Sequence, residues 1–250
     1  MSLTYIQKDL LVLLEKFDLF CRNNDIKYTL HGGTLLGAIR EKGFIPWDDD
    51  ADVGMSRYDF NKMLSCLDKD DSISIEPGIN IYKVYAINNQ NEYVWIDIFV
   101  YDFISSNYIA KKCKIVFEDL AMTFLKDKNN LATTKEKWNY SRYLFIKIVS
   151  FIGKIIPFNF RKKMLNYARE KSFCGDRQLV HRSNDHHYGR LEILPKSILD
   201  EYVDVKFENV NLMISKDYEK ILIASYGEDY MIPKKPDSAS ILGHNLSRKK

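Results

Sequence analysis

The chain has 250 residues, 46% hydrophobic and 28% charged, with 37 Lys and Arg against 34 Asp and Glu. That is an ordinary globular balance, enough for one large domain or two small ones, and a net charge of +3 is too small to point to a nucleic-acid partner. Four cysteines, Cys21, Cys66, Cys113 and Cys174, lie far apart with no C-x-x-C pair, which argues against zinc-ribbon and thioredoxin-like motifs and fits a reducing compartment.

The first twenty residues lack the basic start, unbroken apolar run and cleavage site of a signal peptide. No run of about 18 uncharged apolar residues occurs, so the expected location is the cytoplasm. Residues 4–23 space Ile6, Leu10, Leu13, Leu14, Phe17 and Phe20 as one buried helical face. In "DIKYTL", Ile26, Tyr28 and Leu30 alternate with polar residues and predict a strand, ended by Gly32 and Gly33. "TLLGAIRE" predicts a short helix capped by Thr34. "DADVGM" predicts a short strand, "SRYDFNKMLSCL" a helix capped by Ser56, and "EYVWIDIFVYDF" a strand rich in aromatic and β-branched residues. From about Asn107 to Cys174 the pattern is helical and basic, and short strand-like runs return between Glu192 and Ile214. "SKDYEKILIASYGEDYM" predicts a last helix with Ser215 as cap and Gly227 near its end. The polar tail over 234–250 is expected to be loose.

Asp48, Asp49, Asp50 and Asp52 crowd into five positions beside Trp47. Side chains alternate along a strand, so Asp50 and Asp52 share a face while Ala51 and Val53 point to the core. Two carboxylates on one face after a Gly-Gly turn suit a hard divalent cation, and Mg²⁺ takes one or two carboxylates plus substrate phosphates. Asp97, a lone charge between Ile96 and Ile98, is a third acid, because such a residue is rarely buried without a partner. Trp95 and Phe99 share its face. A solvated aspartate turn and an edge position for Asp97 are the plainer alternatives. The spacing of Asp48, Asp50 and Asp52 is close to an EF-hand loop, but that loop needs Gly and Glu where Val53 and Asp59 stand. Neither a P-loop nor a G-x-G-x-x-G or G-x-S-x-G motif occurs. Cys174, His181, His186 and His187 can be drawn as a zinc set, but their spacing matches no strong pattern.

"GGTLLGAIREKGFIPWDDDADVGM" closely resembles the signature of the LicD/fukutin-related family. "VWIDIFVYD" and "DYEKILIASYGEDYMIP" resemble its second and C-terminal blocks. The resemblance implies an α+β, nucleotidyltransferase-like fold: a mixed β-sheet core flanked by helices, one catalytic domain over 1–250 with a helical subregion inserted over about 107–174. It implies Asp50, Asp52 and Asp97 as metal ligands for Mg²⁺, or Mn²⁺ in its place, and Gly32, Gly33 and Thr34 on the phosphate side. Bacterial members move phosphocholine from CDP-choline onto a glycan, and others move different phospho-alditols. A CDP-alcohol donor and a glycan acceptor, soluble or lipid-linked, are therefore the expected partners. Asp97 either ligates metal or takes the acceptor's proton. Arg40 and Lys42 are placed to neutralise phosphate, His31 to orient the turn, and Trp47 and Trp95 to offer aromatic faces to a quaternary ammonium.

The segment Ser141–Lys163 stands apart. Lys147 and Lys154 fall seven residues apart with Ser150 between them, a narrow polar stripe on a mostly apolar helix, and Arg161, Lys162 and Lys163 follow a proline. Two readings stand: a helix docking peripherally on an anionic membrane surface, or a core helix whose lysines snorkel.

Overall fold

A computed structural model describes residues 3–67, 73–76, 80–87, 93–126 and 139–233. The tail over 234–250 lies outside these residues, as does the stretch 127–138 of the helical subregion.

The fold is α+β. Its seven-stranded sheet runs in the order β1-β2-β5-β4-β3, with β6 pairing β5 and β7 pairing β6. The strands are β1 (Thr29–Leu30), β2 (Ala51–Ser56), β3 (Ser74–Glu76), β4 (Tyr82–Ile87), β5 (Tyr93–Ile104), β6 (Leu179–Arg182) and β7 (Ile193–Pro195). β2 and β5 are parallel, and the other pairs are antiparallel. β5 is long enough to pair first with β4 and then with β6 along the same edge. A separate hairpin joins β8 (Tyr202–Phe207) to β9 (Val210–Ser215).

Helix α1 (Tyr5–Asn23) starts with a capping box between Thr4 and Gln7, which satisfies two free N–H groups of the first turn. It buries Leu10, Leu13, Leu14, Phe17 and Phe20, the face that its spacing predicts. Gln7 does a second job: its side-chain amide donates to the carbonyls of Ile45 and Asp48, at 3.1 and 2.9 Å. The helix thereby ties down the loop that enters the acidic run.

Helix α2 (Gly32–Arg40) begins earlier than expected. Gly32 and Gly33 form its first turn, so Thr34 is not the cap. Residue His31 holds the N-cap position, without a side-chain capping bond. Thr34 instead turns its hydroxyl to β2 and accepts from the Asp52 N–H at 2.9 Å. Only Thr29 and Leu30 of "DIKYTL" join the sheet, because the Lys27 N–H donates to the Asp59 carboxylate and the Ile26 N–H to Cys21. Helix α3 (Arg57–Leu67) is capped as expected, the Ser56 hydroxyl accepting from the Asp59 N–H. The last long helix, named α8 below (Tyr218–Tyr226), starts three residues after Ser215. Ser215 accepts from the Asp217 N–H two residues on, which closes a turn rather than capping a helix. Gly227 ends α8 at φ +88°.

Between β5 and β6 run α4 (Tyr108–Leu125), α5 (Tyr140–Gly153) and α6 (Phe158–Glu170); the short α7 (His187–Arg190) follows β6. Among the described residues, α4 and α6 share a small apolar cluster around Ala121, Leu125, Leu165 and Ala168. Their junction with the sheet is polar. The Lys114 ammonium, fully buried, donates to the carbonyls of Arg169 and Ser172. Glu118 meets the His181 ring at 3.3 Å, and the Arg169 guanidinium donates to the Ser183 carbonyl. Arg57 grips Asp102 with two hydrogen bonds, at 3.0 and 2.6 Å. Among the described residues no single helix is long and apolar enough to cross a membrane.

Candidate active site

The site is built across three adjacent strands. Parallel pairing of β2 with β5 sets Asp52 opposite Asp97, and antiparallel pairing of β5 with β4 sets Lys83 opposite Asp97. Lys83, Asp97 and Asp52 therefore stand in one row. Their apolar neighbours Ala51, Val53, Ile96 and Ile98 are fully buried on the other face, as period-two alternation requires. Lys83 Nζ lies 3.3 Å from Asp97 Oδ1 and 3.8 Å from the centre of the Trp95 ring.

The first turn of α2 closes over this row. The His31 N–H donates to the Asp52 carbonyl at 2.9 Å, and Thr34 takes the Asp52 N–H. A methyl group on Gly32 would lie 2.3 Å from Asp52 Oδ2, and one on Gly33 would lie 2.4 Å from Asp48 Oδ2. Gly32 also has φ +54°, a region that favours glycine. The two glycines are needed because carboxylates pack against their Cα atoms.

Electrostatics mark the same place. Burial first, then the charge of Asp50 and a hydrogen bond to it, push the Asp48 carboxyl up to about 8. Burial and the charges of Asp50, Asp97 and Asp48 hold Asp52 well above the ordinary carboxylate range, and Arg182 partly offsets them. Burial also raises Asp97, against the pull of Lys83. Like charges this close disfavour full ionisation, and a cation relieves them. Tyr226, at the end of α8, faces the same acids: burial and then Asp52, Asp48 and Asp50 raise its phenol.

Arg182 is a residue that sequence spacing does not reveal. Its guanidinium meets Asp185 at 3.2 Å and Glu192 at 3.3 Å, hydrogen-bonds His31 Nε2, and lies over the Phe99 ring at 5.3 Å. Arginine only donates, so His31 accepts at Nε2 and its Nδ1–H faces the Tyr101 hydroxyl at 3.1 Å. Burial, then Arg182, holds the His31 ring well below its usual range. His31 is thus a neutral link that braces the start of α2 against β5 and β6.

The residues expected at the site divide. Asp50, Asp52, Asp97, Gly32, Gly33 and Thr34 come together, with Asp48 added. Arg40 turns away, to Glu41 at 2.8 Å and the Tyr230 carbonyl at 3.4 Å. Lys42 is exposed at φ +62°, in a turn whose carbonyl accepts from the Glu208 N–H. Trp47 is 43% exposed, while Trp95 carries Lys83 on its ring. The zinc set does not form. His181 faces Glu118 and His187 faces Asp119. Among the described residues no three His, Cys, Asp or Glu side chains stand as a ready metal site.

Asp50, Asp52 and Asp97 do not converge on one point either: Asp97 leans to Lys83 and Asp48 to Asp50. The donor chemistry nevertheless fits a hard cation. All the donors are carboxylate oxygens, and burial, then neighbouring acids, makes Asp52 and Asp97 weaker acids than usual, charge that a cation would stabilise.

The comparison with known proteins points to the same region. The family model for the LicD/FKTN/FKRP nucleotidyltransferase domain matches residues 25–169. Across 245 residues the chain is 24% identical to the lipopolysaccharide cholinephosphotransferase LicD of Haemophilus influenzae, over 90% of each protein. It is 32% identical over 112 residues to an uncharacterised protein of Rickettsia prowazekii, a match covering 41% of this chain and 40% of that one.

Proposed function

This chain belongs to the LicD/FKTN/FKRP family, and from that premise we propose that it transfers phosphocholine from CDP-choline to a hydroxyl of a cell-surface glycan or its lipid-linked precursor. The observation that carries this reading is the row Lys83–Asp97–Asp52 under the glycine turn of α2. Similarity to a cholinephosphotransferase over 90% of both chains supports the cargo.

Asp50, Asp52 and Asp97 are the residues that would hold Mg²⁺, or Mn²⁺ in its place. The metal would neutralise charge on the donor's pyrophosphate and on the departing CMP. The chain's own residues do the rest. Gly32 and Gly33 form the first turn of α2 beside the acids, and the N–H groups of a helix N-terminus favour an anion such as the donor phosphate. Arg182, fixed by Asp185 and Glu192, adds a permanent positive charge beside the acids. Asp97, raised by burial, suits removal of the acceptor's proton as well as metal binding. Displacement by the acceptor oxygen forms its bond to the phosphorus of phosphocholine, and the bond to CMP breaks.

One observation favours a second cargo. The face of Trp95 suited to a trimethylammonium group already carries the Lys83 ammonium. Phosphoglycerol or phosphoribitol, which bring no cation, would leave that contact intact, and a nucleotidyl group is the further variant on the same chemistry.

The deciding experiment incubates the protein with Mg²⁺, a glycan acceptor and CDP-choline, CDP-glycerol or CDP-ribitol in turn, and follows CMP. CMP release is expected to be fastest from CDP-choline and to stop in EDTA. Preference for CDP-glycerol or CDP-ribitol would reassign the cargo. Glycan binding with no CMP from any donor would make the protein a catalytically silent scaffold, and chelator-resistant release would remove the metal from the reading.

A further inference from the structure

Helix α5 is inside out. Its narrow strip of small or polar residues faces the protein. Val149, Ser150 and Gly153 are buried, the Ser150 hydroxyl donates to the Lys126 carbonyl at 3.0 Å, and a methyl group on Gly153 would lie 2.7 Å from Phe124 Cα. The expected polar stripe is therefore split, because Ser150 turns inward while Lys147 and Lys154 stay exposed. The apolar stripe faces outward. Leu144, Ile148 and Phe151 follow helical spacing and are 41%, 51% and 69% exposed, and Ile155, in the turn after the helix, is 78% exposed. α6 leaves α5 at a 120° bend and continues this surface with Phe158 and Phe160, 54% and 59% exposed. The core-helix reading of the segment is thus excluded.

Charge decides what fits this surface. From Asn139 to Arg169 the sequence holds seven Lys and Arg and no Asp or Glu. Lys147, Lys154, Lys162 and Lys163 are exposed around the apolar elbow, and Arg161 braces it by donating to the Phe124 carbonyl. A protein partner would meet the apolar area with shape. A bilayer needs only an apolar wedge and a rim of positive charge, two signals that together suffice for docking. We propose that the α5–α6 elbow docks on an anionic lipid bilayer, with Ile148, Phe151, Ile155 and Phe158 entering the headgroup boundary and the lysines meeting lipid phosphates.

This inference is independent of the transferase reading, and its test uses no turnover. The full chain is floated with vesicles of phosphatidylcholine alone or mixed with phosphatidylglycerol. Binding is expected to the mixed vesicles, weaker in high salt. The Ile148→Glu/Phe151→Glu variant should lower that binding by about tenfold or more, at unchanged melting temperature because both positions are exposed. Lys162→Gln/Lys163→Gln should lower it less and flatten the salt dependence. Phe151→Trp should shift its fluorescence to the blue on mixed vesicles only. The Asp52→Asn variant should bind vesicles like the wild type, whatever its activity. Absence of binding to mixed vesicles would overturn the proposal, as would binding that Ile148→Glu/Phe151→Glu leaves intact. So would a solution dimer that Phe151→Glu splits, because the face would then belong to a second copy.

Discussion

Along α1, Leu10, Leu13, Leu14, Phe17 and Phe20 are at most 2% exposed; along α5, Leu144, Phe145, Ile148, Phe151 and Ile152 are between 41% and 69% exposed. Both helices have apolar residues at helical spacing, and either pattern alone reads as a core face. The difference lies in what the opposite face offers. α1 sets charged residues such as Lys8, Glu15 and Lys16 against solvent. α5 buries Val149, Ser150 and Gly153, half-buries Tyr143 and Ile146, and leaves its other large apolar side chains outside. The lesson is that periodicity reports a helix, while the direction of its apolar face depends on what packs against it. The sheet region is closed by apolar burial, whereas the helical region is pinned to it through buried ions such as Lys114, Glu118 and Arg169.

The largest test of this division is catalytic. Asp52→Asn should cut CMP release by at least about a hundredfold, since it removes a charge that the transition state needs. Phe151→Glu should leave release with a soluble acceptor within about twofold of wild type. Equal losses in the two variants, measured side by side, would mean that the elbow is part of the reaction chamber.

Stability sharpens the contrast with a single residue type. Phe17→Ala should cost about 3–5 kcal/mol in denaturant unfolding, the range for a buried phenylalanine. Phe151→Ala should stay within about 0.5 kcal/mol, as an exposed substitution does. A large loss at Phe151 would show that the outward face of α5 is covered.

The smallest effect concerns the acidic cluster and its sign. The Asp48 carboxyl, pushed up to about 8, holds its proton more tightly folded than unfolded. The stability this gives is fully present below the unfolded value, near ~4, and is lost as pH rises through about 8. In EDTA, Asp48→Asn should therefore match the wild type near pH 4. It should melt a few degrees higher above pH 8, where it lacks the buried charge. A melting difference that does not change with pH would mean that Asp48 stays ionised throughout.

Much of the candidate site was legible because it is local. Gly32, Gly33, Asp50 and Asp52 lie within one stretch, and Asp97 betrays itself as a charge inside an apolar strand. The cap at Ser56 was legible too, because a hydroxyl three residues before Asp59 is a local signal. What stayed hidden depends on distant pairing. Lys83 joins the row only because β4 pairs with β5, and Arg182 reaches His31 from 151 residues away. β6 has only four residues and carries His181 and Arg182, so it offers no alternation to read. Thr34 and Ser215 carry the side chains of a helix cap, but tertiary partners and a local turn claim them instead.

Placing Asp52 opposite Asp97 in a parallel pair also sets how this protein tolerates change in length. Each strand shows alternate residues to opposite faces, so one residue inserted before Asp52 within β2, or before Asp97 within β5, inverts the face that follows it. The carboxylate would enter the layer held by Ala51, Val53, Ile96 and Ile98, and the inserted residue or the one before it, Ala51 or Ile96, would take its place in the row. Two inserted residues restore the face but move the acid about 6.5–7 Å along the strand, out of line with its partner. Descendants of this sequence can therefore lengthen the chain between strands, but they can neither add nor drop a residue inside β2 or β5 without dissolving the row.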